Sequence, residues 1–151
     1  MNTRERIDND FAKEFKARNA SAASTLRMLR AALKYGDIEK MKPLEEEEVV
    51  DLVGREVKKL KDAMESFKAG GRNDLVAQSE AEVATLSIYL PAQLDDDALR
   101  AMVKEKVSAA GAVTAKDFGR LMAEVMKDAK GRAEGAKVGQ MVKEALAGPA
   151  A

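Results

Sequence analysis

The chain has 151 residues and a mass of 16.3 kDa, and its 26 basic side chains are balanced by 26 acidic ones. With 46% hydrophobic and 34% charged residues it is apolar enough to fold as one domain or two small ones, too charged for a membrane protein, and not basic enough to coat nucleic acid non-specifically. His, Cys and Trp are absent, which excludes disulfides, thiol nucleophiles, imidazole bases, the serine and cysteine triads, and any zinc or haem site built on His or Cys.

Met1-Asn2-Thr3-Arg4-Glu5-Arg6 brings charge at once with no apolar run behind it, so no secretory signal is expected. No segment approaches the roughly 20 apolar residues of a membrane span, and a cytoplasmic location is expected. Ala, Leu, Met, Lys and Glu are abundant and aromatics make up only 4%, a composition for helices throughout. No alternating run is long enough to read as a strand.

The first predicted helix covers 3–18, with Ile7, Phe11 and Phe15 as its apolar stripe. The second covers 21–35, capped by Ser21 or Asn19, with Leu26, Leu29 and Leu33 inward and Tyr35-Gly36-Asp37 as its stop. Pro43-Leu44 opens a third, long helix over 44–69, striped by Val49, Val53, Val57, Leu60, Met64 and Phe67. Glu45 to Glu48 stand at its first turn, where carboxylates suit the positive end of the helix dipole better than they would converge on a metal. Lys58, Lys59 and Lys61 crowd its later half, and acidic neighbours three and four residues away nearly cancel them. Gly70-Gly71 ends the helix, and a fourth runs over 73–89, with Leu75, Val83, Leu86 and Tyr89 inward and Pro91 as its stop.

Leu90-Pro91-Ala92-Gln93-Leu94 divides an N-terminal helical part, 1–92, from a second part, 93–151. Three shorter helices follow. One covers 96–109, capped by Asp95 and ended by Gly111. The next covers 115–128, with Thr114 and Asp117 as a capping box. The last covers 133–146. The tail from Ala147 to Ala151 is expected to fray.

The stretch from Lys127 to Gly139 carries the most information. Gly135 and Gly139 are read inside the last helix, where each costs about 1 kcal/mol relative to Ala. Close helix packing or the close approach of a phosphate backbone would offset that cost. From 116 to 143 there are seven basic side chains (Lys116, Arg120, Lys127, Lys130, Arg132, Lys137, Lys143) against four acidic ones, a local excess of three. No Walker loop is present and no catalytic constellation is found. Ser66, Ser79, Ser87 and Ser108 have no base pattern nearby, and Tyr35 and Tyr89 read as helix-end packing residues with exposed hydroxyls. No catalytic residue, cofactor or metal is assigned.

In order along the chain stand Leu26-Arg27-Met28-Leu29-Arg30-Ala31-Ala32-Leu33-Lys34, Arg55-Glu56-Val57-Lys58, Gly71-Arg72-Asn73-Asp74-Leu75-Val76 and Tyr89-Leu90-Pro91-Ala92-Gln93-Leu94. Lys116-Asp117-Phe118-Gly119-Arg120-Leu121-Met122 and Lys130-Gly131-Arg132-Ala133-Glu134-Gly135 complete the set. This ordered set resembles the YqeY family, which shares its C-terminal region with the B subunit of the aminoacyl-tRNA amidotransferase (GatB). The resemblance implies an all-α protein, with an N-terminal multi-helix unit containing one long helix and a small three-helix GatB-tail-like domain. In the amidotransferase the similar tail packs on the outer corner of tRNA, while the amide chemistry resides elsewhere.

Three functions follow as expectations. The first is an RNA-binding accessory protein, directed at tRNA, that uses Arg120, Lys127, Lys130, Gly131, Arg132, Gly135 and Lys137 to read backbone shape. With about five phosphates contacted, its log–log salt slope would be on the order of −4. The second is an interaction module that docks on an amidotransferase or synthetase component through Lys58, Lys59 and Lys61. The third is a component of a carbon–nitrogen ligase with glutamine as amide donor, although the chain has no room for an ATP cradle beside the tail.

Overall fold

A computed structural model describes residues 1–111 and 114–147, and the tail residues Gly148 to Ala151 lie outside the described part. The protein is all-α. Its helices are α1 (Thr3–Lys16), α2 (Ala20–Lys40), α3 (Glu46–Ala69), α4 (Asn73–Ser87), α5 (Asp96–Ala110), α6 (Phe118–Ala129) and α7 (Gly135–Leu146), with a 3-10 turn at Ala115–Asp117. The described residues contain no strand, and none of their helices is long and apolar enough to cross a membrane. Two compact units divide the chain, Met1–Leu90 and Pro91–Ala151.

In the first unit, α3 packs chiefly on α4 and α1 on α2. The heptad-like spacing of apolar residues places Ile7, Leu26, Leu29, Leu33, Val49, Val53, Val57 and Leu86 in one core. The α1 stripe runs out before its end. Ile7 is fully buried and Phe11 half-buried, but Phe15 is 60% exposed, its ring tilted 33° against that of Phe11 with centroids 6.0 Å apart. The α1–α2 turn uses Arg18 with φ +57°, and Asn19 caps α2 by accepting the Ala22 N–H at 3.4 Å.

The predicted stop at Tyr35-Gly36-Asp37 is overturned, because α2 continues to Lys40 and ends with Met41 in the left-handed region at φ +62°. Gly36 is a contact residue here. A Cβ at this position would stand 2.8 Å from Leu44 Cδ1 and 3.3 Å from Leu52 Cδ1, so the missing side chain lets those leucines lie against the helix. Asp37 ties three segments together. It takes a bidentate pair from Arg4 of α1, at 3.0 and 2.7 Å, and accepts the Leu44 N–H at 2.8 Å.

The acidic run does its work at helix starts. Glu45 is the N-cap of α3, and its N–H donates to Glu48 at 2.7 Å. Glu46 accepts the Thr3 N–H at 3.1 Å and the Thr3 hydroxyl, which satisfies an end group of α1. Glu48 also pairs with Lys40. At the other end of the unit Tyr89 is buried, contrary to the expected exposed hydroxyl. Its O–H donates to Asp10 at 2.5 Å, and the Arg6 guanidinium lies over its ring at 5.3 Å. Tyr35 is exposed.

In the second unit α5, α6 and α7 bury Leu99, Val103, Leu121, Val125, Ala129, Val138 and Val142. Asp95 caps α5 through the Ala98 N–H at 2.7 Å, and Gly111 ends it at φ +81°. Thr114 and Asp117 form the expected capping box: the Thr114 N–H donates to Asp117 at 2.9 Å, and Thr114 Oγ1 accepts from the Lys116 N–H at 3.3 Å.

Candidate nucleic-acid interface

The apolar face of α6 carries Leu121, Val125 and Ala129, all buried. The opposite face is set by the same period of 3.6. Arg120 and Lys127, seven residues apart, share one exposed row of α6; the exposed Lys116 stands on the 3-10 turn before the helix, and the exposed Lys130 follows at its end. Between the cations stand Gly119 and Ala123, both exposed, and nothing lies within 4 Å of the Cβ that Gly119 lacks. Small residues therefore separate the cations: Gly119 precedes Arg120, and Ala123 lies between Arg120 and Lys127.

One turn edge over runs a matching row of carboxylates. Asp117 pairs with Arg120 at 3.2 Å, Glu124 with Lys127 at 2.7 Å, and Asp128 with Lys106 of α5 at 2.8 Å. The hydrogen bond from Lys127 holds the Glu124 carboxyl below its ordinary value, and that from Lys106 does the same for Asp128. Such exposed pairs are worth roughly 0–1 kcal/mol, so a phosphate can exchange for a carboxylate at little cost.

The remaining predicted site residues have other engagements. Gly131, at φ +75°, makes the turn after α6, and its carbonyl accepts from Gln93 Nε2 at 2.9 Å. Arg132 donates its Nε–H to the Ala92 carbonyl at 3.1 Å, and its own carbonyl accepts the Leu94 N–H at 2.8 Å. Lys130-Gly131-Arg132 and Pro91-Ala92-Gln93-Leu94 are thus two sides of one clasp within the second unit. Lys137 projects from α7 to Asp96 at the start of α5, 2.8 Å away, which lowers the Asp96 carboxyl and raises the Lys137 ammonium from their usual ranges.

The expectation for Gly135 and Gly139 needs correcting. Helix α7 starts at Gly135 instead of 133, so Gly135 is a first-turn residue with open space at its Cβ position. At Gly139 a Cβ would meet Met122 Cε and Phe118 Cζ at 3.9 Å, an ordinary contact. Neither glycine marks a close approach of helix backbones.

On α3, Lys58, Lys59 and Lys61 are all exposed, and Lys59 pairs with Glu56 at 2.9 Å. Lys58 and Lys61 share their face with Asp51, Asp62 and Glu65, so this surface alternates in sign.

Gly119 and Ala123, which the sequence reading did not single out, are the small residues between these cations. The signal was available for part of this arrangement: 120 and 127, seven residues apart, fall on one arc of α6, while 132 and 137 lie beyond that helix.

The described residues form two all-helical units, and the second carries exposed cations along α6. Comparison with known proteins gives the family. The model of the YqeY family, described as Yqey-like protein, matches residues 4–146, and the chain belongs to that family. An uncharacterised protein of Schizosaccharomyces pombe is 29% identical over 76 residues, a match covering 50% of this chain and 62% of the yeast protein. The chain thus spans less than two thirds of that relative's length.

Proposed function

We propose that the protein is an RNA-binding accessory factor of the cytoplasm that receives the sugar-phosphate backbone of tRNA on α6 and performs no amide transfer itself. Exposed Arg120 and Lys127 on α6 and Lys116 on the turn before it, with the small Gly119 and Ala123 between these cations, are the observation that carries this reading. Phosphate oxygens bridge cations, and the small residues leave room for the ribose edges. The likeness of this region to the tRNA-packing tail of the amidotransferase supports the same ligand. It also makes tRNA-handling complexes, an amidotransferase or a synthetase, the natural setting.

The reading moves the contact away from Gly131 and Arg132, which the clasp engages, and from Lys137, which stands on α7 and not on the α6 row. With Lys116, Arg120, Lys127 and Lys130 in contact, the log–log salt slope is about −3 to −4. Lys58, Lys59 and Lys61 lie outside the tail-like region and this reading does not use them.

The test is binding of total tRNA between about 50 and 200 mM salt. The triple variant Lys116→Gln, Arg120→Gln, Lys127→Gln is expected to lose most of the affinity and about three units of the slope. Lys137→Gln keeps both. Absence of binding at low salt, or a triple variant that binds like the parent protein, overturns the proposal.

A further inference from the structure

Helix α2 has a second face that the first unit leaves uncovered. Leu26, Leu29 and Leu33 are buried on one side. On the other, Met28 is 69%, Tyr35 72% and Ile38 63% exposed, with exposed Ala31 between them, and Met41 follows at the cap at 91%. The spacing 28, 31, 35, 38 is that of a single helical stripe, about 15 Å long. Four of the seven large apolar side chains exposed among the described residues thus lie on or at the end of this helix, where isolated exposure would have scattered them.

Two features specify what fits. One edge of the stripe is cationic. Arg27 and Lys34, seven residues apart, are exposed, and neither appears in a salt bridge among the described residues. Arg27 is held at this edge by the Phe11 ring, 5.6 Å from its guanidinium carbon. Beside Tyr35 a groove of about 540 Å³ opens between α2 and α3, floored by Ala32, Gly36, Leu44 and Leu52. The carboxylates Glu48 and Glu56 at this groove are paired with Lys40 and Lys59, and Glu39 and Arg55 complete its rim. A second copy of this chain is a poor occupant, since antiparallel pairing of two α2 faces sets Arg27 and Lys34 against the same cations of the other copy.

We propose that this face docks an amphipathic helix of a partner protein, about three turns long. The helix has apolar residues at i, i+3 and i+7, and two carboxylates seven residues apart along one edge to meet Arg27 and Lys34. One bulky apolar side chain enters the groove beside Tyr35. Helix-on-helix recognition of this kind takes its affinity from the apolar anchors and its orientation from the flanking charges. The face belongs to the first unit and the α6 row to the second, and failure of this proposal would leave the RNA reading untouched.

The two tyrosines supply the measurement. The 151-residue chain labelled with 3-fluorotyrosine has one exposed probe, Tyr35, and one buried probe, Tyr89. It is titrated with two synthetic 18-residue amphipathic helices that differ only in carrying Glu or Lys at the two edge positions. The Glu peptide is expected to shift the Tyr35 resonance, to leave Tyr89 in place and to bind at least tenfold tighter than the Lys peptide. The exposed double variant Arg27→Glu, Lys34→Glu reverses the preference, and Ile38→Ser weakens both peptides. No shift at Tyr35, or equal binding of the two peptides, overturns the proposal. So does a dimer in sedimentation that Ile38→Lys dissociates, which assigns the face to a second copy, or a Tyr35 shift produced by tRNA, which assigns it to nucleic acid.

Discussion

The Arg132 guanidinium holds the Ala92 carbonyl at 3.1 Å across 40 residues of sequence, and this bond explains why two distant motifs occur together. Pro91-Ala92-Gln93-Leu94 has no regular structure to satisfy its backbone. The turn after α6 supplies that satisfaction, through Arg132 to Ala92, Leu94 to the Arg132 carbonyl and Gln93 to the Gly131 carbonyl. Arg132→Met is therefore expected to speed amide exchange at Leu94 about tenfold, equivalent to about 1.4 kcal/mol. The salt slope of tRNA binding should stay unchanged. A slope reduced by one unit, with Leu94 protection intact, would make Arg132 a phosphate ligand instead.

The glycines of this region separate by sign. Gly131→Ala forces an L side chain to φ +75° and is expected to cost about 1–2 kcal/mol. Gly139→Ala removes a mid-helix glycine, and its Cβ enters ordinary contact with Met122 and Phe118, so it is expected to stabilise the protein by about 1 kcal/mol. Thermal midpoints of the two single variants check this. Destabilisation by Gly139→Ala would mean that α6 and α7 cannot accommodate the methyl group.

The helices themselves were legible because apolar residues recur at three and four along almost every segment, and the caps at Asp95 and Thr114 obey local rules. Errors arose where a distant residue decides. Tyr35-Gly36-Asp37 has the form of a local stop, but Gly36 is there to admit Leu44 and Leu52, and Asp37 to hold Arg4. The start of α7 was read early because the turn around Gly131 serves the 91–94 segment, which no local pattern reports. Charge counts gave the excess of cations near α6. They could not reveal that Lys137 reaches Asp96 or that Lys106 reaches Asp128, because those pairs depend on how three helices fold together.

Tyr89 gives an alkaline prediction. Burial, and then the hydrogen bond to Asp10, push its phenol above the ordinary value of 10.0. A group raised in this way stabilises the fold fully below its unfolded value and loses that contribution as pH climbs toward the folded one. In Tyr35→Phe protein, where Tyr89 is the sole phenol, the phenolate absorbance is expected to appear only above pH 10 and together with loss of helix. Tyr89→Phe should cost about 1 kcal/mol at neutral pH and flatten the alkaline decline. A Tyr89 titration complete by pH 10 with helix intact would refute the buried hydrogen bond.

Asp37 gives the acid counterpart. Its carboxyl lies below the ordinary 3.8, first because Arg4 donates to it and next because the Leu44 N–H does. A depressed carboxylate contributes stability above its unfolded value and loses it as pH falls through the folded one, so the effect is confined to the range below about pH 4. Glu48, lowered from 4.5 by Lys40 and then by the Glu45 N–H, adds to the same limb. Because Asp37 joins α1, α2 and the segment leading into α3, its protonation releases the ends of three helices together. Asp37→Asn is expected to lower the thermal midpoint at pH 7 and to make the midpoint fall less steeply between pH 5 and pH 2.5 than in the parent protein. Parallel curves for the two proteins over that range would mean that the Arg4 pair contributes nothing in solution, as many exposed pairs do. Adding high salt at pH 7 separates the two components of the site. Screening weakens the Arg4 attraction, whereas the hydrogen bond to the Leu44 N–H persists, so the parent midpoint should move part of the way toward that of the variant.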